Sequence, residues 1–258
     1  MTAIIPIPAF ADNYIWLLRE AGKAAVVDPG DAAPVIAYLE RERLELSCIL
    51  NTHHHGDHVG GNRALLARWP VPVFGPAREV IPGVTRTLVE GDAFTLPDLG
   101  VVLSVLDVPG HTAGHIACFG PLDANPVVFC GDTLFTGGCG RLFEGTPSQM
   151  VDSLSKLSAL PGDTAVFCGH EYTMANLRFA EAVEPGNVPL QRRRARDQAK
   201  RDRGEPTVPS TMAEERATNP FLRVDQPAVR AAAERHAGRP LADRVAVFAE
   251  VRAWKNAF

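Results

Sequence analysis

Long apolar runs are missing from this sequence, so no stretch of it is expected to cross a bilayer as a helix. The opening MTAIIPIPAF is apolar, yet Pro6 and Pro8 interrupt it. It has no basic segment and no small-residue cleavage site. A secretory signal is therefore not expected, and a cytoplasmic location is. Charge excess is missing too. With 26 Lys and Arg against 30 Asp and Glu, the net charge of −4 gives no general attraction to nucleic acid or to an anionic membrane. Paired cysteines are a third absence. Cys48, Cys118, Cys130, Cys139 and Cys168 are odd in number, and no two have C-x-x-C spacing. They are expected as reduced, mostly buried thiols. No repeat is evident, and no hydrophobic interaction helix stands out, so a monomer is expected.

What is present fits a globular chain. The 258 residues are 46% hydrophobic and 22% charged, enough for one large domain or a large and a small one. Strands are predicted at 3–8, 14–19, 24–28, 47–51, 71–74, 101–108, 115–119, 126–130 and 164–168, where apolar runs end at Gly, Pro, Asp and Asn. Helices are predicted at 33–43, 60–69 and 147–159. Asp31 and Thr146 serve as caps, each followed by proline in the first turn. After about residue 173 strand signals stop, and helical patterns occupy 173–184, 188–203, 212–218, 226–236 and 240–256. The expected division is an α/β unit over 1–173 and a smaller helical unit over 174–258.

Several predicted strands run directly into polar loops: SCILNT into HHHGDH, LDVPG into HTAGH, VVFC into GDT and AVFC into GHEYT. Loops on a rigid sheet are where sites are commonly built. In Thr52–His58, His53 and His55 are two residues apart and can point the same way in extended backbone. Gly56 lets the chain turn, so that Asp57 and His58 face a second point. His111, Asp132 and His170 stand at three further strand ends. A lone histidine is more often structural, but four ligand side chains within six positions are costly to pack without a cation. The reading is two divalent cations. His53, His55, His111 and Asp132 hold one, and Asp57, His58, His170 and a bridging Asp132 hold the other. Nitrogen and oxygen donors suit zinc, iron or manganese, with zinc taken first. His54 should point away, His115 and His236 should not be ligands, and Asp28 is a candidate orienting partner for a ligating histidine.

These motifs resemble the metallo-β-lactamase superfamily and, within it, the glyoxalase II branch. The branch likeness lies in Ile7-Pro8-Ala9-Phe10-x-Asp12-Asn13-Tyr14, in Gly138–Gly145, and in Cys168–Thr173. Val208–Thr211, Asn219-Pro220-Phe221 and Arg252-x-x-Lys255-Asn256 extend it. The resemblance implies an αββα sandwich followed by a helical domain. It also implies hydrolysis of S-(2-hydroxyacyl)glutathione, chiefly S-D-lactoylglutathione, to glutathione and D-lactate, the second step of methylglyoxal detoxification. Glutathione would lie between the two domains, its glycine carboxylate at Arg252 and Lys255 and the rest against Arg141, Phe143 and Tyr172. Some relatives carry lysine and tyrosine where Arg141 and Phe143 stand. Arginine keeps the charge with another geometry, and phenylalanine loses a hydroxyl.

The chemistry implied is a hydroxide made by two cations sharing a water, attacking the thioester carbonyl. A thiolate leaves readily, so no separate general acid is required. Asp57 is read as a ligand that also orients the water proton. The rivals are a nuclease, suggested by the basic run from Gln191 to Arg203, and a single-metal sulfur oxygenase. Asp197 and Asp202 interrupt that run and no aromatic residues interleave, so a solvated helix is the expectation there.

Overall fold

The computed structural model describes residues 2–258. Along the chain come β1 (Ala3–Ala9), β2 (Asn13–Glu20), β3 (Lys23–Val27), α1 (Ala32–Glu42), β4 (Glu45–Leu50), α2 (Gly56–Val59), α3 (Asn62–Arg68) and β5 (Val73–Pro76). Next are β6 (Arg86–Leu88), β7 (Ala93–Leu96), β8 (Val101–Asp107), β9 (Ile116–Leu122), β10 (Asn125–Gly131), β11 (Leu134–Phe135), β12 (Gly138–Cys139), α4 (Pro147–Ser158) and β13 (Ala165–Cys168). The chain finishes with α5 (Thr173–Val183), α6 (Val188–Asp202), β14 (Ser210–Thr211), α7 (Met212–Thr218), α8 (Pro227–Ala237) and α9 (Arg244–Ala257).

The strands form two six-stranded sheets, ordered β1-β2-β3-β4-β5-β6 and β14-β13-β10-β9-β8-β7. Side chains alternate faces along a strand, and β2 shows what that does here. Trp16 and Leu18 pack between the sheets with Leu103, Val105, Cys118 and Phe129. Ile15 and Leu17 point the other way and pack with Val35 and Leu39 of α1 and Leu65 of α3. The contiguous cluster that holds Trp16 and Leu18 extends to Met150, Leu154 and Leu157 of α4 and Val247, Phe248 and Val251 of α9. Helices therefore cover both outer faces, the αββα sandwich expected, with helices continuing to the C-terminus.

Local chemistry explains the joints. Ala21 and Gly22 both have positive φ, 48° and 84°, the conformation that closes a two-residue hairpin in step with strand twist. Asp31 caps α1 by accepting from Ala33 N at 2.9 Å. Thr146 and Gln149 form a reciprocal capping box on α4.

Three expectations need correction. The helix read at 60–69 begins only at Asn62, after a separate turn of helix at Gly56–Val59, because Gly60 and Gly61 bring the chain against Pro29 and Gly30; a Cβ on Gly60 would lie 2.7 Å from the Gly30 oxygen. Strand signals do not stop at 173: Ser210 and Thr211 pair antiparallel with Val166 and Ala165 and close one sheet edge. The strand read at 71–74 lies at Val73–Pro76. The short strands β6, β7, β11 and β12 were not read, since two to four residues carry too little alternation to show.

Candidate metal centre and substrate cavity

The topology gathers the site. β13 is parallel to β10, and β9 runs antiparallel to both β10 and β8, so β8, β10 and β13 end at one edge. The loops that leave those ends carry His111, Asp132 and His170, and β4 delivers Thr52–His58 to them. Gly169 makes the approach tight: a Cβ there would sit 2.6 Å from Asp132 Oδ1 and 2.6 Å from His58 Cε1.

All seven predicted ligands converge. His53, His55 and His111 offer donor atoms within 4.8 Å of one another, as do Asp57, His58 and His170. Asp132 lies between the groups. Its Oδ2 is 3.5 Å from His111 Nε2 and 3.2 Å from His170 Nε2, and its Oδ1 is 3.4 Å from His58 Nε2.

The other nitrogen of most of these histidines is already held. His111 Nδ1 donates to the Arg141 carbonyl at 2.8 Å, His58 Nδ1 to Asp28 Oδ2 at 3.1 Å and His170 Nδ1 to Asp12 Oδ1 at 2.8 Å. His53 Nδ1 lies 3.0 Å from the Thr52 hydroxyl, which itself donates to Asp28 Oδ2 at 2.6 Å. Each of these bonds leaves Nε2 facing the cluster, as metal-ligating histidines are oriented. Asp28 also lies near His53 and His58. Its oxygens are taken by Thr52 N, Thr52 Oγ1 and His58 Nδ1, so it orients rather than ligates.

Two features test whether a cation fits. Among the described residues His53 Nε2 and Asp132 Oδ1 are buried without a hydrogen-bond partner. Leaving buried polar atoms unpaired costs about 1–3 kcal/mol each, and both atoms point into the cluster. The charges fit as well. Burial opposes a charge on Asp132, yet His58 and His170 hold its carboxyl well below the usual range. Burial likewise opposes a charge on His58, yet Asp132 and Asp28 push that imidazole well above its usual value. A cation would take the place of that proton. Burial lowers His53 and His111, keeping them as neutral donors.

The remaining histidines behave as expected. His54 points outward to Glu79 at 3.0 Å and Glu144 at 3.4 Å. His115 stacks on His53 with ring centroids 4.5 Å apart, and its Nε2 accepts from Asp132 N at 3.1 Å. His236 stacks on Trp254 between α8 and α9.

One cavity of about 520 Å³ opens on this cluster. His55, Asp57, His111, Asp132 and His170 line one part, and Arg141, Phe143, Tyr172, Arg252 and Lys255 line the rest. Tyr172 stacks flat on His170 at 4.6 Å, and Phe143 sets its edge to His55 and His111. Arg252 is buried, not solvated; its Nη1 donates to the Cys139 carbonyl at 2.8 Å. Lys255 Nζ donates to the Ala175 carbonyl at 3.0 Å. Burial, then the nearby Arg252, Arg178 and Arg141, push its ammonium down to about 8. Cys139 and Asn176 also line the cavity and had not been singled out for it. All five cysteines are free and buried.

The basic run lies on a largely solvated helix, as expected, with one exception. Arg193 is buried, 2.6 Å from Glu215 and 3.5 Å from Asp197. Arg194 pairs with Glu181, Arg196 with Glu214, Arg201 with Glu171 and Arg203 with Glu205. Apart from Arg193 these are exposed or half-exposed pairs with acidic side chains, which offset the positive charge of the run.

Sequence reading gave no role to Asp12 or Asn13. Asn13 Nδ2 donates to Asp57 Oδ2 at 3.0 Å, as Asp12 accepts from His170. The signal was present, since both belong to the Asp12-Asn13-Tyr14 motif.

Comparison with known proteins agrees with this architecture. Residues 10–170 match the family model "Metallo-beta-lactamase superfamily", and residues 171–258 match "Hydroxyacylglutathione hydrolase C-terminus". The hydroxyacylglutathione hydrolase of Alkalilimnicola ehrlichii is 62% identical over 258 residues, covering 99% of each chain. That of Nitrosomonas europaea is 52% identical, covering 100% of this chain and 97% of its own. The chain belongs to the hydroxyacylglutathione hydrolase family of the metallo-beta-lactamase superfamily. Among solved structures, ETHE1 from Myxococcus xanthus superposes with a TM-score of 0.65 at 24% identity, covering 100% of this chain and 99% of its own, a likeness of fold. A protein crystallised in a di-iron-bound form superposes with a TM-score of 0.55 at 30% identity, covering 64% of this chain and 91% of its own. Membership brings a hydrolase fold whose histidine and aspartate clusters imply divalent metal ions. Among the described residues no helix is long and apolar enough to cross a membrane.

Proposed function

We propose that this protein is a metal-dependent thioesterase that cleaves S-(2-hydroxyacyl)glutathione, chiefly S-D-lactoylglutathione, to glutathione and D-lactate. The observation that carries the reading is a single cavity that joins the ligand cluster to Arg141, Arg252 and Lys255. The substrate has the matching polarity, with a thioester at one end of a tripeptide that bears two carboxylates.

His53, His55, His111 and Asp132 would hold one divalent cation, and Asp57, His58, His170 and Asp132 a second. Bound there, the cations would supply Lewis acidity toward the carbonyl oxygen and a water acidic enough to ionise near neutral pH. Zinc is the metal proposed. The di-iron-bound relative makes iron the first alternative, and manganese suits the same donors.

The protein's own groups do the rest. Burial opposes the charge on Asp57, but His58 and the Asn13 amide hold its carboxyl below the usual range, so it stays anionic at the cavity wall. There it can accept or orient the proton of the attacking water. A carbon–oxygen bond forms, the carbon–sulfur bond breaks, and the electron pair leaves on sulfur. A thiol ionises near pH 8.5, so the thiolate departs without a dedicated acid and takes its proton from water. Lys255 and Arg252 would draw the glycine carboxylate, with Arg141, Phe143 and Tyr172 against the rest of the tripeptide.

The same reading divides the chain into a catalytic unit at 1–173 and a glutathione-binding unit at 174–258. It makes the protein a cytoplasmic monomer that performs the second step of methylglyoxal detoxification. The test is thiol release from S-D-lactoylglutathione by protein loaded with zinc, iron or manganese. Release of one thiol per D-lactate is expected. No thiol release, with oxygen consumption on glutathione persulfide instead, would replace the thioesterase by an oxygenase.

A further inference from the structure

The two halves of the ligand cluster are backed differently. In one half the histidines lean on neutral groups, His53 on the Thr52 hydroxyl at 3.0 Å and His111 on the Arg141 carbonyl at 2.8 Å. In the other half both lean on carboxylates, His58 on Asp28 at 3.1 Å and His170 on Asp12 at 2.8 Å. That half also contains Asp57, a carboxylate within its own donor set. Asp132 is common to both. Asp28 reaches both too, because the Thr52 hydroxyl that faces His53 donates to it. The asymmetry therefore comes to rest on Asp57 and Asp12, and Asp12 is the member outside the donor set.

We propose that the half formed by Asp57, His58 and His170 takes up its divalent cation before the half formed by His53, His55 and His111, and that Asp12 is the positioning residue that sets this order. The proposal rests on the two-cation reading above and goes beyond it. An imidazole that donates to a carboxylate carries more electron density on its opposite nitrogen, and the carboxylate adds negative charge near the cation. Nitrogen donors suit zinc, which works for the all-histidine half; the order tells which effect is larger. The Asp12 side chain is partly exposed, so its distant field is screened and its influence enters through the 2.8 Å hydrogen bond.

The backbone around Asp12 is fixed without its carboxylate. Glu171 N donates to the Asp12 carbonyl at 2.8 Å, Tyr14 N donates to the Gly169 carbonyl at 2.8 Å, and Asn13 bridges to His170. Asp12→Asn therefore removes the charge while the hairpin tip stays in place.

The experiment uses metal-free full-length protein given one molar equivalent of zinc, crystallised, with the ion located by anomalous scattering at the zinc edge. In the wild type the peak is expected between Asp57, His58 and His170. In Asp12→Asn it spreads to both halves, and chelator competition shows the first equivalent held about 10–100-fold more weakly. Asp12→Glu, which keeps the charge, retains the wild-type order. A wild-type peak among His53, His55 and His111 overturns the proposal whatever the variants do. So does an Asp12→Asn protein with unchanged partition and affinity. No substrate is present, so a failure of the thioesterase reading leaves these outcomes legible.

Discussion

Arg252 reaches across 113 residues to donate to the carbonyl of Cys139 at 2.8 Å. The bond ties the last helix to the short hairpin that precedes Arg141, and it is buried. The guanidinium also stands 5.0 Å from the centre of the Phe221 ring. A residue that the family resemblance offers as a cation for the substrate carboxylate is thus also a fastener of the cavity wall.

Arg252→Ala should therefore cost stability as well as affinity. An unpaired buried carbonyl costs about 1–3 kcal/mol, and a lost charged contact to substrate is of similar size. A lower Tm together with a KM raised roughly tenfold is expected, with metal content unchanged. An unchanged KM in steady-state thiol release would remove Arg252 from the substrate site.

Lys255 gives the cavity a pH dependence. Its ammonium, pushed down to about 8, is charged below that pH and neutral above it. A bound carboxylate favours the charged form, so substrate affinity is full below pH 8 and falls as pH rises through it. KM should climb above pH 8 while kcat stays level. Arg in place of Lys255 should flatten the KM profile, and a profile identical to wild type would count against the assignment.

Asp132 touches both halves of the cluster, so Asp132→Ala should cost more metal than loss of a single-site ligand. Metal analysis after dialysis should show both equivalents depleted, with kcat/KM down roughly 100-fold or more, since even orienting partners of ligands cost 10–100-fold. Retention of two equivalents would show that Asp132 does not bridge.

The buried pair Arg193 and Glu215 gives a stability prediction. Glu215 also accepts from Gly137 N at 2.9 Å and Ser210 Oγ at 2.6 Å, fastening α7 to the cavity hairpin. Arg193→Met leaves that carboxylate without its cation, at a cost of roughly 3–5 kcal/mol. Urea denaturation should show the loss, and adding Glu215→Gln should recover part of it. No recovery would mean that packing, not the stranded charge, sets the cost.

Much of the site was legible because metal chemistry writes itself locally. Thr52–His58 concentrates four ligand side chains where spacing alone fixes which can face together. His111, Asp132 and His170 were visible at the ends of apolar runs for the same reason, since strand periodicity is a short-range signal. Asp12 was less legible. Its carboxylate holds a histidine 158 positions away, and no periodicity links the two. Arg193 was misread because a helix rich in arginine looks solvated until the acids of α7 are folded against it. Ser210 and Thr211 join a sheet through backbone pairing with β13, which two residues cannot announce.

The sequence by itself determined the donor types, the strand ends that carry them and the helical character of the C-terminal third. These depend on side-chain chemistry and on periods of two and 3.6 residues, all written within a few positions. Tertiary structure alone decided which carboxylate stands behind which histidine, which arginines are buried, and that one cavity joins the ligand cluster to Lys255. Those outcomes depend on distances between residues from about twenty to more than a hundred and fifty positions apart, and only the packing of two sheets and their helices sets such distances.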